Sequence, residues 1–325
     1  MKLLGIKSHN FSFDFFEKNT VPPFYKEIED VPNAYFENST LKDNNVHIVN
    51  CVMPYIGKRE STLNSYYGHY SKSYRLGYAM DFSNSSSATD YLKDVLGKKT
   101  YKSIRQDKQR LYRDHNIQLK VYHGEMDKDH YTYLFKTLKG YILKRFEGRT
   151  HTHTALSKWD FYVPTCYDMI LSKNAAMFVL YDNNLPIAIS LSFRHKNILT
   201  AAITSFNENY YKYSLGKLMF VNQIEWCFLN NCTLLDTGWG NIPYKIKFSN
   251  AVFYYDTKVF YPKKKLAKKM LAFSISWALM LKYYCIVVFK EKRFNSPEKT
   301  FKNRWLNLSS TKIHAHHVSL KTESS

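Results

Sequence analysis

The chain has 325 residues, of which 45% are hydrophobic and 17% aromatic, enough apolar material to bury one or two cores. Only 23% of the residues are charged, which argues against a mainly disordered chain. The 47 basic residues exceed the 27 acidic ones, and the resulting net charge of +20 favours contact with phosphates, nucleic acids or anionic membranes. The five cysteines form no Cys-x-x-Cys pair and no even set, so a secreted disulfide scaffold and a structural zinc module are both poorly supported.

Two apolar stretches bear on the location of the protein. The run at residues 3–6 ends at Lys7 and is too short for the core of an export signal. The stretch 270–281 is shorter than the roughly 20 residues that cross a bilayer. We therefore expect a cytoplasmic protein. Because lysines crowd positions 263–269, the segment 263–293 is either a buried core helix or a helix that lies on an anionic membrane at its inner face.

The first half of the chain predicts an irregular region followed by helices. Residues 1–92 are aromatic-rich, with short strand-like runs such as 46–49, and Ser87 or Thr89 is placed to cap the next helix. Apolar residues or basic residues then recur at helical spacing in three segments, namely 97–115, 128–146 and 159–171.

The hydrophobic period then changes from helical to strand-like. Short polar turns separate three apolar runs and predict an antiparallel meander with strands at 176–181, 186–195 and 198–206. A helix from Leu215 to about Leu229 and a buried strand at 233–236 come next. The segment from Lys258 to the end is strongly basic.

A first motif opens the helix that follows the meander, and it reads Tyr213-Ser214-Leu215-Gly216-Lys217. The first amides of a helix have no partner within the helix and lie at the positive end of its dipole. Such a turn suits the diphosphate of coenzyme A, with Gly216 allowing close approach of the backbone and Lys217 and Lys212 adding charge. The alternative is that Ser214 only caps an ordinary core helix.

A second motif ends the buried strand and reads Asp236-Thr237-Gly238-Trp239-Gly240, followed by Tyr244-Lys245 and Phe248. A carboxylate at the end of a buried strand can take a proton from an attacking group, and a nearby hydroxyl or ammonium can donate to a developing oxyanion. Asp236 fits the role of base or of acceptor orientation, and Tyr244 or Lys245 fits the role of donor. The alternative is that Asp236 and Lys245 form a structural ion pair that fixes the glycine turn.

The order of elements with these two motifs resembles a GNAT acyltransferase core. Specifically, residues 210–248 are similar to the branch associated with cellulose and exopolysaccharide biosynthesis, which is related to the Fem-type peptidoglycan transferases. The resemblance covers residues 90–262. The chain departs from the family pattern in having Leu215 where a proline is usual and Asn241 where an acid commonly follows the second glycine. The second glycine of the usual acetyl-CoA signature is also absent.

The resemblance implies an α/β (α+β) fold with a GNAT-like mixed, mostly antiparallel sheet flanked by helices. It further implies a Fem-like two-domain arrangement, in which residues 1–92 form a reduced amino-terminal GNAT-like half on the acceptor side. The core would span 93–262, and a basic helical segment and tail would span 263–325.

The implied activity is transfer of an acyl group, such as acetyl, from acyl-CoA to an amine by direct attack in a ternary complex. The implied acceptor is a small molecule or saccharide, in particular an amino sugar or saccharide intermediate of surface polysaccharide synthesis. Catalytic roles then belong to Asp236, Tyr244 and Lys245, and donor binding belongs to Tyr213, Ser214, Leu215, Gly216 and Lys217. No metal is expected, because the His-x-His pair at 151–153 has no third ligand nearby.

Two other functions stay open at this point. A Fem-like enzyme would take its aminoacyl group from a tRNA, for which the net charge of +20 is suitable. A non-enzymatic protein with a degenerate acyltransferase core would instead use residues 263–293 to dock on an anionic membrane. Neither the acyl chain nor the oligomeric state follows from the sequence.

Overall fold

The fold is given by a computed structural model that describes residues 5–20, 24–28, 43–56, 58–60, 66–149, 152–239 and 243–293. The chain divides into two compact units. One comprises residues 1–77 and 252–325, and the other comprises residues 78–251. The boundaries predicted from the sequence lie at 92/93 and 262/263, so the units divide the chain at other positions.

The described strands and helices are as follows in chain order. The strands are β1 Ile6–Asn10, β2 Tyr25–Ile28, β3 Val46–Val52, β4 Lys58–Glu60, β5 Tyr67–Asp81, β6 Ile117–Tyr122, β7 Ala175–Asp182, β8 Leu185–His195, β9 Ile198–Phe206, β10 Leu234–Trp239 and β11 Ala251–Pro262. The helices are α1 Ala88–Asp114, α2 Lys128–Phe146, α3 Trp159–Leu171, α4 Leu215–Leu229, α5 Pro243–Phe248 and α6 Leu266–Arg293.

The unit formed by residues 78–251 contains a mixed sheet in the order β5-β10-β9-β8-β7-β6, to which β5 contributes its last residues. Neighbouring strands from β6 to β9 are antiparallel, and β9 pairs with β10 in parallel. This confirms the predicted meander, with strand ends that differ from the prediction by at most one residue. It also confirms the predicted fold class, a GNAT-like mixed and mostly antiparallel sheet flanked by helices.

Helices of this unit begin where the sequence signals them. The Ser87 side chain accepts a hydrogen bond from the Asp90 amide and so caps α1. Helix α1 is interrupted at Gly97, whose φ of 72° and ψ of 156° are not helical, so its basic part is the segment after that residue. Helices α2 and α3 have the predicted bounds, and Asp127 caps α2 through the His130 amide.

Helix α4 is buried along most of its length against the sheet. Its apolar residues share one core with α1 and the strands β7–β10. Among them lies a polar group: the Gln223 side chain donates to the hydroxyls of Ser190 and Ser192, at 2.8 and 3.0 Å. Because a buried amide needs partners, these bonds fix the position of α4 over β8.

The unit formed by residues 1–77 and 252–325 has its own strands, in the order β1-β3-β11-β5, and a separate pair formed by β2 and β4. Strand β1 is parallel to β3, and β3 is antiparallel to β11. Helix α6 packs its Ala272 on a small core with Val46, Ile48 and Val259. Within the described residues, no helix combines the length and the apolar character that a bilayer span requires.

Candidate active site

The turn that leads into α4 has a strained backbone at Ser214. Ser214 adopts φ 54° and ψ 41°, in the left-handed region that non-glycine residues seldom occupy. Its side chain makes no capping hydrogen bond, and its carbonyl accepts the first ones, from the Lys217 and Leu218 amides. The amides of Leu215 and Gly216 precede this first turn, as expected at a helix N-terminus. The alternative in which Ser214 only caps α4 is therefore wrong, while donor binding at this turn stays a prediction.

The buried side chain of Tyr213 anchors this turn to α1 and the residue that follows it. Its ring is buried, and its hydroxyl lies 3.0 Å from both the Asp114 carboxylate and His115 Nε2. His115 is itself bonded to Asp182, with 2.7 Å between Nδ1 and the carboxylate. Leu215 is fully buried beside it. The side chains of Tyr213 and Leu215 thus anchor the turn, and its backbone is the part available to a ligand.

Arg145 is a site residue that the sequence did not indicate. Its guanidinium lies 5.4 Å from the centre of the Phe206 ring, a cation–π contact. A methyl group built on Gly216 would meet the same ring at 3.5 Å. Arg145 at the end of α2 and Gly216 at the start of α4 therefore flank one ring. The positive end of the α4 dipole and a guanidinium together favour an anion here.

Asp236 is fully buried near the end of β10. Its carboxylate accepts a hydrogen bond of 2.7 Å from the Gly238 amide, and Gly238 has a φ of 78°, which glycine adopts without strain. Asp236 pairs with Thr200 of β9, so the two side chains lie on the same face of the sheet. The Thr200 hydroxyl is buried and has no hydrogen-bond partner among the described residues. The Asp236 carboxylate and the Thr200 hydroxyl are thus neighbours on the sheet.

Lys245 of α5 approaches the same strand end, and Tyr244 precedes it on the same helix. The Lys245 ammonium donates a hydrogen bond to the Thr237 carbonyl. Burial lowers the pKa of Lys245, and the charge of Asp236 partly opposes that shift. The Tyr244 ring packs on Phe220 and is 39% exposed, and burial of its hydroxyl raises its pKa. Lys245 therefore supports the glycine turn through the Thr237 carbonyl, while Tyr244 is a protonated donor at the surface.

The strands β9 and β10 separate beyond Asp236. Their parallel pairing covers Ile198–Thr200 and Leu234–Asp236, although β9 continues to Phe206 and β10 to Trp239. Six residues of β9 then lead from Thr200 to Phe206, a distance of about 20 Å along an extended strand. Asp236 thus lies beside one end of the part of β9 that pairs with β8 but not with β10, and Phe206, which contacts Gly216 at the start of α4, lies at the other end.

Other predicted residues lie at the margin of this site or beyond the described part of the chain. Lys217 is exposed on the first turn of α4, and the Lys212 ammonium lies over the Tyr213 ring. Gly240, Asn241 and His151 are outside the described residues. The His153 side chain accepts a hydrogen bond from the Ala155 amide. No cluster of three metal-ligating side chains occurs in the described ranges.

Residues 98–246 match the family model of the acetyltransferase (GNAT) domain. The matched segment lies within the unit 78–251 and contains α4, the β9–β10 pair and Asp236. This part of the chain has the GNAT fold, and the match supports acyl transfer as its general chemistry. No curated protein sequence matches the chain.

Several solved structures share the arrangement at low sequence identity. A conserved protein of unknown function from Bacteroides thetaiotaomicron is 8% identical, with 67% of this chain and 70% of that chain covered and a TM-score of 0.45. The C-terminal domain of a protein from Agrobacterium fabrum, provisionally named lysylphosphatidylglycerol synthetase, is 16% identical, with 72% and 73% covered and a TM-score of 0.46. FemX is 9% identical, with 66% and 71% covered and a TM-score of 0.44. With TM-scores this low, the likeness carries no function to this chain.

Proposed function

We propose that the chain is an N-acyltransferase that moves an acyl group from acyl-CoA to an amine. The observation that supports this most is the pairing of an anion site with a distant carboxylate. The α4 N-terminus and Arg145 lie near one end of the part of β9 that does not pair with β10, and Asp236 lies at the other. Coenzyme A carries its reactive thioester on a long arm that begins at a diphosphate. A ligand of that shape fits a separation of about 20 Å along a strand.

In this proposal, backbone amides and one charged side chain bind the acyl donor. The amides of Leu215 and Gly216 bind the diphosphate, and the Arg145 guanidinium adds a charge-assisted hydrogen bond. The arm extends along the edge of β9 that faces β10, beyond the paired residues, where backbone groups can provide hydrogen bonds. Most of the rate enhancement then comes from alignment of the thioester with the amine.

The chemical step needs one proton acceptor and one donor. The amine nitrogen attacks the thioester carbonyl, a C–N bond forms, and the amine proton passes to the Asp236 carboxylate. The Tyr244 hydroxyl, which burial keeps protonated, donates to the oxyanion. Collapse of the tetrahedral intermediate breaks the C–S bond, and the thiolate of coenzyme A leaves and takes up a proton.

The acceptor is an amine, and the family resemblance favours an amino sugar or a saccharide intermediate of surface polysaccharide synthesis. Thr200 supports an acceptor of this kind, because its buried hydroxyl has no partner in the described part of the chain and lies beside Asp236. A polar acceptor group would satisfy it. Acetyl is the acyl group that we propose first.

The alternative acyl donor is an aminoacyl-tRNA, as in a Fem-like enzyme. The net charge of +20 favours it, and the basic part of α1 after Gly97 offers exposed lysines such as Lys98, Lys99 and Lys102. Such a polyanion would bind with a steep dependence on salt. It would not need a diphosphate site about 20 Å from the carboxylate.

Thermal-shift measurements with acetyl-CoA, longer acyl-CoAs and aminoacyl-tRNA separate these donors. A ligand that binds the native state raises the melting temperature, by an amount that increases with the ratio of its concentration to its dissociation constant. We expect an increase with an acyl-CoA and none with aminoacyl-tRNA at physiological salt. An increase with aminoacyl-tRNA alone would transfer the proposal to the alternative donor.

A further inference from the structure

Helix α6 presents a stripe of large apolar side chains to solvent. Six of them are between 45% and 70% exposed and follow each other at intervals of three or four residues, which places them on one side of the helix: Leu266, Met270, Phe273, Trp277, Leu281 and Tyr284. We call these six residues the α6 stripe. An exposed apolar stripe of this length is unusual on a protein surface and marks an interaction site.

The opposite side of α6 is already occupied. Ala272 and Ser276 are buried, and Ile275 and Leu279 pack on the core that contains Val46 and Val259. The Tyr283 hydroxyl accepts a hydrogen bond from the Leu76 amide. Most contacts with its own unit therefore use a different face of the helix. Of the α6 stripe, Phe273 also contacts Tyr70 and Trp277 lies against Lys72, but all six side chains keep 45% or more of their surface exposed.

The charged residues of the segment 263–286 all have the same sign. Lys269 and Lys282 are exposed on α6, and exposed lysines at 263–265 precede its first turn. The Lys72 ammonium lies 3.8 Å from the centre of the Trp277 ring. Between residues 263 and 286 the sequence has no aspartate or glutamate. The partner must therefore offer an apolar phase together with negative charge.

We propose that α6 docks on an anionic lipid membrane, with the helix lying in the plane of the interface. The α6 stripe enters the boundary between headgroups and acyl chains, and the lysines contact the anionic headgroups. Trp277 and Tyr284 suit this depth, because each has an apolar ring and a polar group that stays near water. This docking goes beyond acyl transfer and does not depend on it.

Two other occupants fit the same residues less well. A second copy of the chain would bring its own lysines to the interface, without any acidic side chain in 263–286 to pair with them. It would also place Trp277 and Tyr284 in a helix seam, where smaller aliphatic residues pack better. A nucleic acid would satisfy the lysines but would leave the α6 stripe in water.

Co-sedimentation of the full chain with vesicles tests the docking. We expect binding to vesicles of phosphatidylglycerol and phosphatidylcholine and much weaker binding to phosphatidylcholine alone. Replacing Phe273 and Trp277 by serine should lower the vesicle partition coefficient at least about tenfold, since each side chain loses its apolar burial. The matched control replaces Leu185 and Leu229, two exposed leucines outside α6, by serine and should leave the partition coefficient unchanged.

A second pair of variants tests the contribution of the lysines to vesicle binding. Changing Lys263, Lys264 and Lys265 to glutamate should lower the partition coefficient about a hundredfold, because each lysine near an anionic surface contributes about 1 kcal/mol. The control makes the same change of charge in α1, at the exposed Lys98, Lys99 and Lys102. Melting curves of all four variants show whether each variant is folded.

Three results would overturn the proposal. The first is a full chain that does not bind phosphatidylglycerol vesicles, and the second is equal loss of binding with the α1 control, which would mean that only the total charge matters. The third is a chain that is dimeric in solution and becomes monomeric when Phe273 and Trp277 are changed, which would assign the α6 stripe to a second copy. A blue shift of the fluorescence on vesicle binding that disappears in Trp277→Phe would support the docking directly.

Discussion

Asp236 serves both the turn and the reaction in this account, and one substitution separates these roles. Asp236→Asn keeps an oxygen that accepts the hydrogen bond from Gly238, so the turn is retained. It removes the proton acceptor, and we expect kcat to fall about a hundredfold or more while the affinity for acyl-CoA changes little. Steady-state kinetics over a range of pH, together with direct donor titration, measure both quantities. Wild-type turnover across that range would make Asp236 a purely structural residue.

Arg145 can be tested against Arg149, an arginine that lies just beyond the end of the same helix. Arg145→Gln removes a charge-assisted hydrogen bond to the diphosphate, and we expect donor affinity to fall about tenfold or more. Arg149, an exposed residue whose guanidinium lies over Phe146, is the matched control. Titration calorimetry should show little change with Arg149→Gln. Equal losses in the two variants would point to long-range charge and would remove Arg145 from the site.

At the level of elements, two glycines in helical segments predict opposite effects of the same substitution. Gly97 has a φ of 72°, and Gly140 lies inside α2 without a positive φ, while neither has a neighbour that would clash with a methyl group. Gly97→Ala should reduce the free energy of unfolding by about 1 kcal/mol, because alanine is strained at that φ. Gly140→Ala should increase it by about 0.5–1 kcal/mol. Urea denaturation of both variants checks the signs, and a stabilising Gly97→Ala would contradict the break in α1.

The elements most accurately predicted from the sequence are those whose signals are local. The bounds of α2, α3 and α4 follow from periodic apolar residues and caps, and the meander follows from polar turns between apolar runs. Strand β6 lies outside the predicted elements, although the residues of Ile117–Tyr122 alternate in the same way. Residues 1–92, which were expected to be irregular, likewise contain the long strand β5.

Features of the site that depend on distant parts of the chain could not be predicted in this way. Arg145 and Gly216 meet through Phe206, and no pattern along the sequence brings the ends of α2 and α4 together. The same holds for Thr200, which becomes a neighbour of Asp236 only through the register of a parallel strand pair. The motif at 213–217 was placed correctly at the start of α4, but burial gave Tyr213 and Leu215 an anchoring role that composition cannot indicate.

For the whole molecule, the distribution of the +20 charge matters more than its sum. In the account above, Arg145 and the α4 dipole act on a small anion, whereas the lysines near the α6 stripe act on a surface. The two sites lie in different compact units. Each can therefore be disabled by substitutions that leave the other unit unchanged, and loss of docking need not abolish acyl transfer.

The claim on which the proposed function depends is that the α4 N-terminus binds the diphosphate of acyl-CoA. Calorimetric titration of acetyl-CoA into Gly216→Glu and Gly216→Ala tests it most directly. Alanine fits, because its methyl group makes an ordinary contact with Phe206, so donor affinity should stay near that of the unchanged chain. Glutamate is tolerated at a helix N-terminus but repels the diphosphate, and affinity should fall at least about a hundredfold. Binding of equal strength in both variants would contradict the account.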